Sequence, residues 1–176
     1  MLFRSGESGA GGSGCRSQMV FTWNGRFPQS SRYSTTPNEK ISVAVVVQNM
    51  VHSEVSGIAF SVHPVTEDRN QLIIEAGFGL GEAIVSGQVT PDSFVIEKEP
   101  RRLIDKSITY QSRALWRAQD GGNEWRELSH EEGTKPALTD EQALELAELV
   151  LKIESHYGFP CDIEWAFEAG TFFITQ

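Results

Sequence analysis

Residues 161–176 read CDIEWAFEAGTFFITQ, and this stretch decides the fold. Alternation with period two places Asp162 and Glu164 on one face of a strand and Ile163 and Trp165 on the other. Glu168, Ala169 and Gly170 read as a turn, and residues 171–176 as the partner strand of a β-hairpin. A three-residue turn sets Phe167 opposite Thr171, Glu164 opposite Ile174 and Asp162 opposite Gln176. Asp162, Glu164 and Gln176 then share one patch: two carboxylates and an amide carbonyl, all hard oxygen donors. Mg²⁺ takes such a set when phosphates and water supply its other positions. The competing reading is a solvated sheet face with carboxylates opposite an amide, and spacing alone leaves both open.

Upstream stands a helix, predicted over residues 139–157. Thr139 is a good N-cap and Gln142 completes a T-x-x-Q capping box. Asp140 and Glu141 complement the positive end of the helix dipole. Leu146, Leu149, Val150, Ile153 and Tyr157 recur at helical spacing and give one apolar face. Gly158 suits the position after the helix, and Pro160 prevents continuation.

The strands before it come in order. Residues 41–48 (ISVAVVVQ) are β-branched and almost continuously apolar, which predicts a strand buried on both faces. Residues 57–63, closed by Pro64, and residues 71–76 are two more. Residues 93–98 and 103–108 read as strands split by Pro100. The DGGN turn at 120–123 joins residues 114–118 and 124–128 into a peripheral hairpin. The fold class is therefore α+β, a mixed, mainly antiparallel sheet with packed helices.

Gly77, Gly79, Gly81 and Gly87 follow the third of these strands. Such glycines let a backbone approach a ligand and offer N–H groups to an anion. The run lacks the lysine of a Walker A loop, and Glu82 stands where G-x-G-x-x-G needs its third glycine. A tight strand-to-helix turn explains it equally well. Gln48, at the end of the first strand, can meet an adenine edge, with Met50 as an adaptable apolar wall; core packing is the alternative for Met50.

The chain has 176 residues, 15 Lys+Arg against 24 Asp+Glu, and a net charge of −9. Residues 1–40 hold five basic and two acidic side chains, and the remainder ten and 22. So acidic a body disfavours nucleic acid and needs local devices to hold an anion. The first twenty residues carry five Gly and four Ser, a flexible coil, and residues 21–37 show no period. No apolar run is long enough to span a membrane. Cys15 and Cys161 cannot build a disulfide scaffold, so a reducing, cytoplasmic setting is expected, with Cys161 a buried and inert thiol. His52, His63, His130 and His156 show no metal-ligand spacing.

Taken together, the segments VVVQNMVHSEVSGIAFSVHPVTEDRN, IIEAGFGLGEAIVSGQVTPDSFVIEK, PALTDEQ and IESHYGFPCDIEWAFEAGTFFITQ resemble the ATP-grasp nucleotide-binding region of phosphoenolpyruvate synthases (pyruvate, water dikinases). Pyruvate, phosphate dikinases and rifampicin phosphotransferases share that region. The resemblance covers residues 38–176, read as a partial ATP-grasp domain cut at its C-terminus. Residues 1–37 are read as a non-homologous, flexible segment.

The resemblance implies ATP and Mg²⁺ as cofactors. Glu164 and Gln176 take the nucleotide and metal roles, with Asp162 in the same site. Gln48 falls at the adenine pocket, and Gly79, Gly81 and Glu82 at or near the phosphates. The family continues past the equivalent glutamine with Ser-Arg-Pro, and its upstream phosphate-binding Lys and Arg are not recognisable in residues 1–37. The phosphohistidine and pyruvate-binding domains are the implied partners, and no catalytic residue is carried here. The implied reaction is phosphorylation of a histidine from ATP and conversion of pyruvate to phosphoenolpyruvate, AMP and phosphate, with this chain alone inactive. A stand-alone nucleotide-binding module is the alternative. An uncovered apolar face, and with it a homodimer, is a further expectation.

Overall fold

The computed structural model describes residues 19–23, 43–47 and 50–176. Strands β1 (Met19–Trp23) and β2 (Val43–Val47) pair antiparallel, with Phe21 opposite Val45. The sequence predicts no element before residue 38, yet MVFTW is a strand. Its aromatic and β-branched residues favour an extended backbone, but the run is too short to show a period against its polar flanks. The rest of residues 1–37, and the side-chain burial of β2, lie outside the described residues. Val51–Gln176 belong to a separate compact unit.

That unit is built on β3 (Val55–Phe60), β4 (Gln71–Phe78), β5 (Asp92–Glu97), β6 (Arg102–Ser107), β9 (Asp162–Glu168) and β10 (Thr171–Ile174). They form one antiparallel six-stranded sheet in the order β10-β9-β3-β4-β5-β6. Strands β7 (Arg113–Arg117) and β8 (Asn123–Glu127) make the expected separate hairpin. Three helices complete it: α1 (Glu82–Val85), α2 (His130–Gly133) and α3 (Asp140–Tyr157).

Alternation explains the packing. Leu72, Ile74 and Ala76 of β4, Phe94 and Ile96 of β5, Ile163, Trp165 and Phe167 of β9, and Phe172 of β10 share one sheet face. They are buried with Ala143, Leu146, Ala147, Leu149, Val150 and Ile153 of α3. Each buried Leu, Val or Ile is worth about 1.5–3 kcal/mol relative to exposure. Gly57 lies opposite Trp165 and Ala76. A Cβ there would overlap the Glu75 carbonyl oxygen and stand 3.0 Å from the indole, so glycine makes room for the tryptophan.

Helix α3 keeps the predicted ends. The Thr139 hydroxyl accepts from Gln142 N at 3.2 Å, and the Gln142 side chain accepts from Thr139 N at 2.9 Å. Gly158 closes the helix at φ +77°. Lys98, just after β5, ties to Glu154 of α3 at 2.6 Å. Among the described residues no helix is long and apolar enough to cross a membrane.

Candidate functional site

Asp162 and Glu164 lie on the sheet face opposite α3, registered against Phe60 and Ile58 of β3. Asp162 is exposed and Glu164 half-buried. Among the described residues neither carboxylate forms an ion pair.

The hairpin register differs by one residue from the expected one. Thr171 pairs with Glu168, Phe172 with Phe167 and Ile174 with Trp165. The turn is the two residues Ala169 and Gly170, at φ +49° and +76°. A two-residue turn with both φ positive matches the twist of the flanking strands. Ala169 is held in that unusual region as its N–H donates to the Glu54 carboxylate at 3.1 Å.

The slip keeps the backbones of Glu164 and Gln176 paired but takes the Gln176 side chain off the face that Asp162 and Glu164 share. Glu164 N donates to Gln176 O at 3.0 Å, Gln176 N donates to Glu164 O at 3.3 Å, and Thr175 N donates to the same oxygen at 2.8 Å. Asp162 and Gln176 line one small cleft of about 140 Å³ with Ile153, Tyr157, Ile163, Ile174 and Thr175. Gln176 is thus drawn toward the end of α3, while Glu164 faces the other side of the sheet. Among the described residues no group of three or more His, Cys, Asp or Glu is placed to hold a metal. The two carboxylates share a face and suit Mg²⁺ with phosphate and water in its remaining positions, and the Gln176 amide would join them by turning from the α3 side.

The glycines are elsewhere. Gly79 N donates to Glu54 O at 2.9 Å, and the Gly79 carbonyl accepts from Ser53 Oγ at 2.9 Å and Ser56 Oγ at 2.6 Å. Leu80 N donates to Leu115 O at 2.8 Å. Gly79 has φ +79°, and a Cβ would overlap the Leu115 carbonyl. Its backbone is approached by its own chain, which is the tight strand-to-helix turn. Gly81 is the N-cap of α1, and the Glu82 carboxylate accepts from Asn123 Nδ2 of the β7–β8 hairpin at 2.9 Å. This loop sits at the Val55 end of β3, and Asp162 at the Phe60 end. Five strand steps, about 17 Å, separate the two ends.

Gln48 lies outside the described residues. Met50, given a core alternative, is 55% exposed, because it sits in the irregular stretch between β2 and β3. Cys161 precedes β9 rather than lying within it, and is half-buried. Burial, with Glu154 and Asp162 nearby, pushes its thiol pKa up, which keeps it unreactive.

Sequence reasoning missed Asp92. It is fully buried, and its carboxylate accepts from Thr109 N at 2.9 Å, Ala137 N at 2.8 Å and Gln111 Nε2 at 3.4 Å. Gln111 Oε1 accepts in turn from Phe78 N at 3.1 Å. Burial pushes the Asp92 pKa up, and the donated hydrogen bonds oppose that shift. The signal was present: period two sets Asp92 on the face of Phe94 and Ile96, so a carboxylate had to be housed in the core.

The protein family described as "Pyruvate phosphate dikinase, AMP/ATP-binding domain" matches residues 26–176. A protein of Methanocaldococcus jannaschii named "Probable phosphoenolpyruvate synthase" is 39% identical over 137 residues, 78% of this chain and 12% of that protein. The "Rifampicin phosphotransferase" of Bacillus subtilis is 41% identical over 139 residues, 79% of this chain and 16% of that protein. The "Phosphoenolpyruvate synthase" of Pyrococcus furiosus is 42% identical over 154 residues, 79% of this chain and 18% of that protein. The chain therefore spans less than a fifth of the length of these relatives. With a family match reaching from residue 26 through the DIEW strand to Gln176, the chain belongs to the pyruvate phosphate dikinase AMP/ATP-binding domain family.

Proposed function

We propose that this chain is the ATP- and Mg²⁺-binding part of a dikinase. In the whole enzyme, ATP phosphorylates a histidine on a second domain, and the phosphoryl group passes to pyruvate to give phosphoenolpyruvate, with AMP and phosphate released. The observation that carries the reading is the pair Asp162 and Glu164 on one strand face, with Gln176 hydrogen-bonded to the Glu164 backbone, inside a chain matched by an AMP/ATP-binding family.

Asp162, Glu164 and the Gln176 amide oxygen would hold the metal, and Gln48 would meet the adenine. Gly79, Gly81 and Glu82 are assigned to the phosphate side, where their contribution is the shape of the loop rather than the Gly79 N–H, which the fold already uses. When bound, Mg²⁺ supplies neutralisation of charge on the phosphate oxygens. Phosphoryl transfer is mostly positioning and charge stabilisation. The phosphohistidine and pyruvate-binding domains are the partners, and residues 38–176 the nucleotide-binding part. The chain alone turns over little or nothing, and its setting is the cytoplasm.

A second reading has the same nucleotide site serving an antibiotic acceptor, because the rifampicin phosphotransferase of Bacillus subtilis is as similar as the synthases. Acceptor chemistry belongs to other domains, so assay of the longer protein with pyruvate and with rifampicin separates the two.

Isothermal titration with ATP, with and without Mg²⁺, tests the shared core. Millimolar or tighter binding that strengthens with Mg²⁺ and weakens in Glu164→Ala is expected. A folded chain that binds ATP no better than an unrelated protein refutes the proposal.

A further inference from the structure

Strand β3 ends at Phe60, and residues 61–70 turn the chain back into β4. One side chain organises that turn. His63 Nδ1 accepts from Val65 N and from Thr66 N, at 3.2 Å each. Two N–H groups aimed at one ring nitrogen meet its lone pair, so Nδ1 serves as the acceptor of this turn. His63 O also accepts from Glu67 N at 2.9 Å, and the Asp68 carboxylate accepts from Asn70 N at 2.9 Å.

The same turn is fastened to the start of β9. Ser61 N donates to Cys161 O at 2.9 Å, and Cys161 N donates to the buried Ser61 Oγ at 2.8 Å. The residue after Cys161 is Asp162, which pairs with Phe60. The chain itself joins the two: His63 stands two residues after Ser61, and the Ser61 hydrogen bonds reach the backbone that carries Asp162.

We propose that His63 is a positioning residue for the carboxylate end of the site: its Nδ1 holds the β3–β4 turn closed and so fixes the backbone bearing Asp162. The ligand-binding half of this inference rests on the nucleotide reading, and the backbone half does not. Substitution chemistry separates a specific acceptor from mere bulk. An asparagine carbonyl reaches the place of Nδ1, where Asx turns make the same bonds to the following N–H groups. A glutamine carbonyl reaches the place of Nε2 and cannot.

The experiment compares wild type, His63→Asn and His63→Gln in the whole chain. Amide hydrogen exchange is read by NMR, followed by ATP affinity with and without Mg²⁺. In His63→Gln, exchange at Val65, Thr66, Ser61 and Cys161 rises about fivefold to tenfold, as expected for two lost hydrogen bonds. The Mg²⁺-dependent part of ATP affinity falls about threefold to tenfold, bounded by the population of closed turn lost. Affinity without Mg²⁺ stays unchanged, and His63→Asn restores both readouts to within about twofold, since an Asx turn supplies the same acceptor.

Unchanged exchange at Ser61 and Cys161 in His63→Gln overturns the inference whether or not the chain binds nucleotide. Faster exchange with unaltered Mg²⁺-dependent affinity overturns the positioning role. Equal loss in His63→Asn and His63→Gln also overturns it, because it marks a bulk effect. A wild type that binds no nucleotide overturns the nucleotide reading and with it the ligand-binding half, while the exchange data still decide the backbone half.

Discussion

Replacing Asp92 by asparagine removes one acceptor from a buried site that presents three donors. The Oδ1 atom receives Thr109 N and Gln111 Nε2, and Oδ2 receives Ala137 N. Asparagine offers one carbonyl and one NH₂. Seated with its oxygen at Oδ1, it turns an NH₂ toward the Ala137 N–H. Seated the other way, it abandons Thr109 and Gln111. One unsatisfied buried N–H costs about 1–3 kcal/mol, and the remaining bonds lose their charge assistance. Relief of the buried charge offsets part of this, leaving a net loss of about 2–3 kcal/mol. For a unit of this size that is a drop in Tm of about 6–12 °C.

The pH dependence gives a second check. Burial raises the Asp92 pKa above the usual 3.8, so the folded chain binds that proton more tightly than the unfolded chain does. The stability linked to the shift is fully present below the usual aspartate value and is lost as pH rises through the folded one. The deficit of Asp92→Asn is therefore larger near pH 4 than at pH 7. Thermal melts by circular dichroism at both pH values read it. A variant melting within about 2 °C of wild type, less than 1 kcal/mol on this scale, refutes the polar-core account. A deficit that grows with pH refutes the claim that burial dominates the shift.

Three other outcomes follow from the same contacts. Gly79→Ala forces a side chain into positive φ against the Leu115 carbonyl and should cost about 3 kcal/mol or more, read as a lowered urea midpoint. Thr139→Ala removes the hydroxyl that caps α3 and should cost about 1 kcal/mol, and Thr139→Ser should restore most of it in the same melts. At neutral pH Cys161 should react with a thiol reagent more slowly than free cysteine, because burial and the neighbouring carboxylates Glu154 and Asp162 disfavour its thiolate; labelling followed by peptide mapping checks this.

Helix α3 was legible in full because its signals are local: a capping box, an apolar face at helical spacing and a glycine that can take positive φ. Apart from β1, which the pattern did not show, the strands were legible to within about three residues at each end, since alternation marks the middle of a strand better than its ends. The hairpin register was not, because it depends on Ala169 entering a conformation that alanine rarely takes, and the acceptor holding it there, Glu54, is 115 residues away in sequence. The slip left the backbone of Gln176 paired with Glu164, while the one-face placement expected of the Asp162, Glu164 and Gln176 side chains holds for the two carboxylates alone. The glycine run was ambiguous in sequence, as a ligand loop and a close-packed turn ask for the same residue. The Leu115 carbonyl beside Gly79 is a contact between distant segments that no local pattern encodes.

The central claim is that a nucleotide-bound divalent metal sits at Asp162 and Glu164. Mn²⁺ in place of Mg²⁺ gives the most direct measurement, because it broadens nearby NMR signals and leaves distant ones sharp. Titrating Mn²⁺–ATP into the labelled chain should broaden the amides of Asp162, Glu164, Thr175 and Gln176 first, leave Gly121 and Gly122 at the tip of the β7–β8 hairpin sharp, and lose this selectivity in Glu164→Ala. Uniform broadening, or broadening centred away from β9 and β10 in a folded chain, would contradict the account.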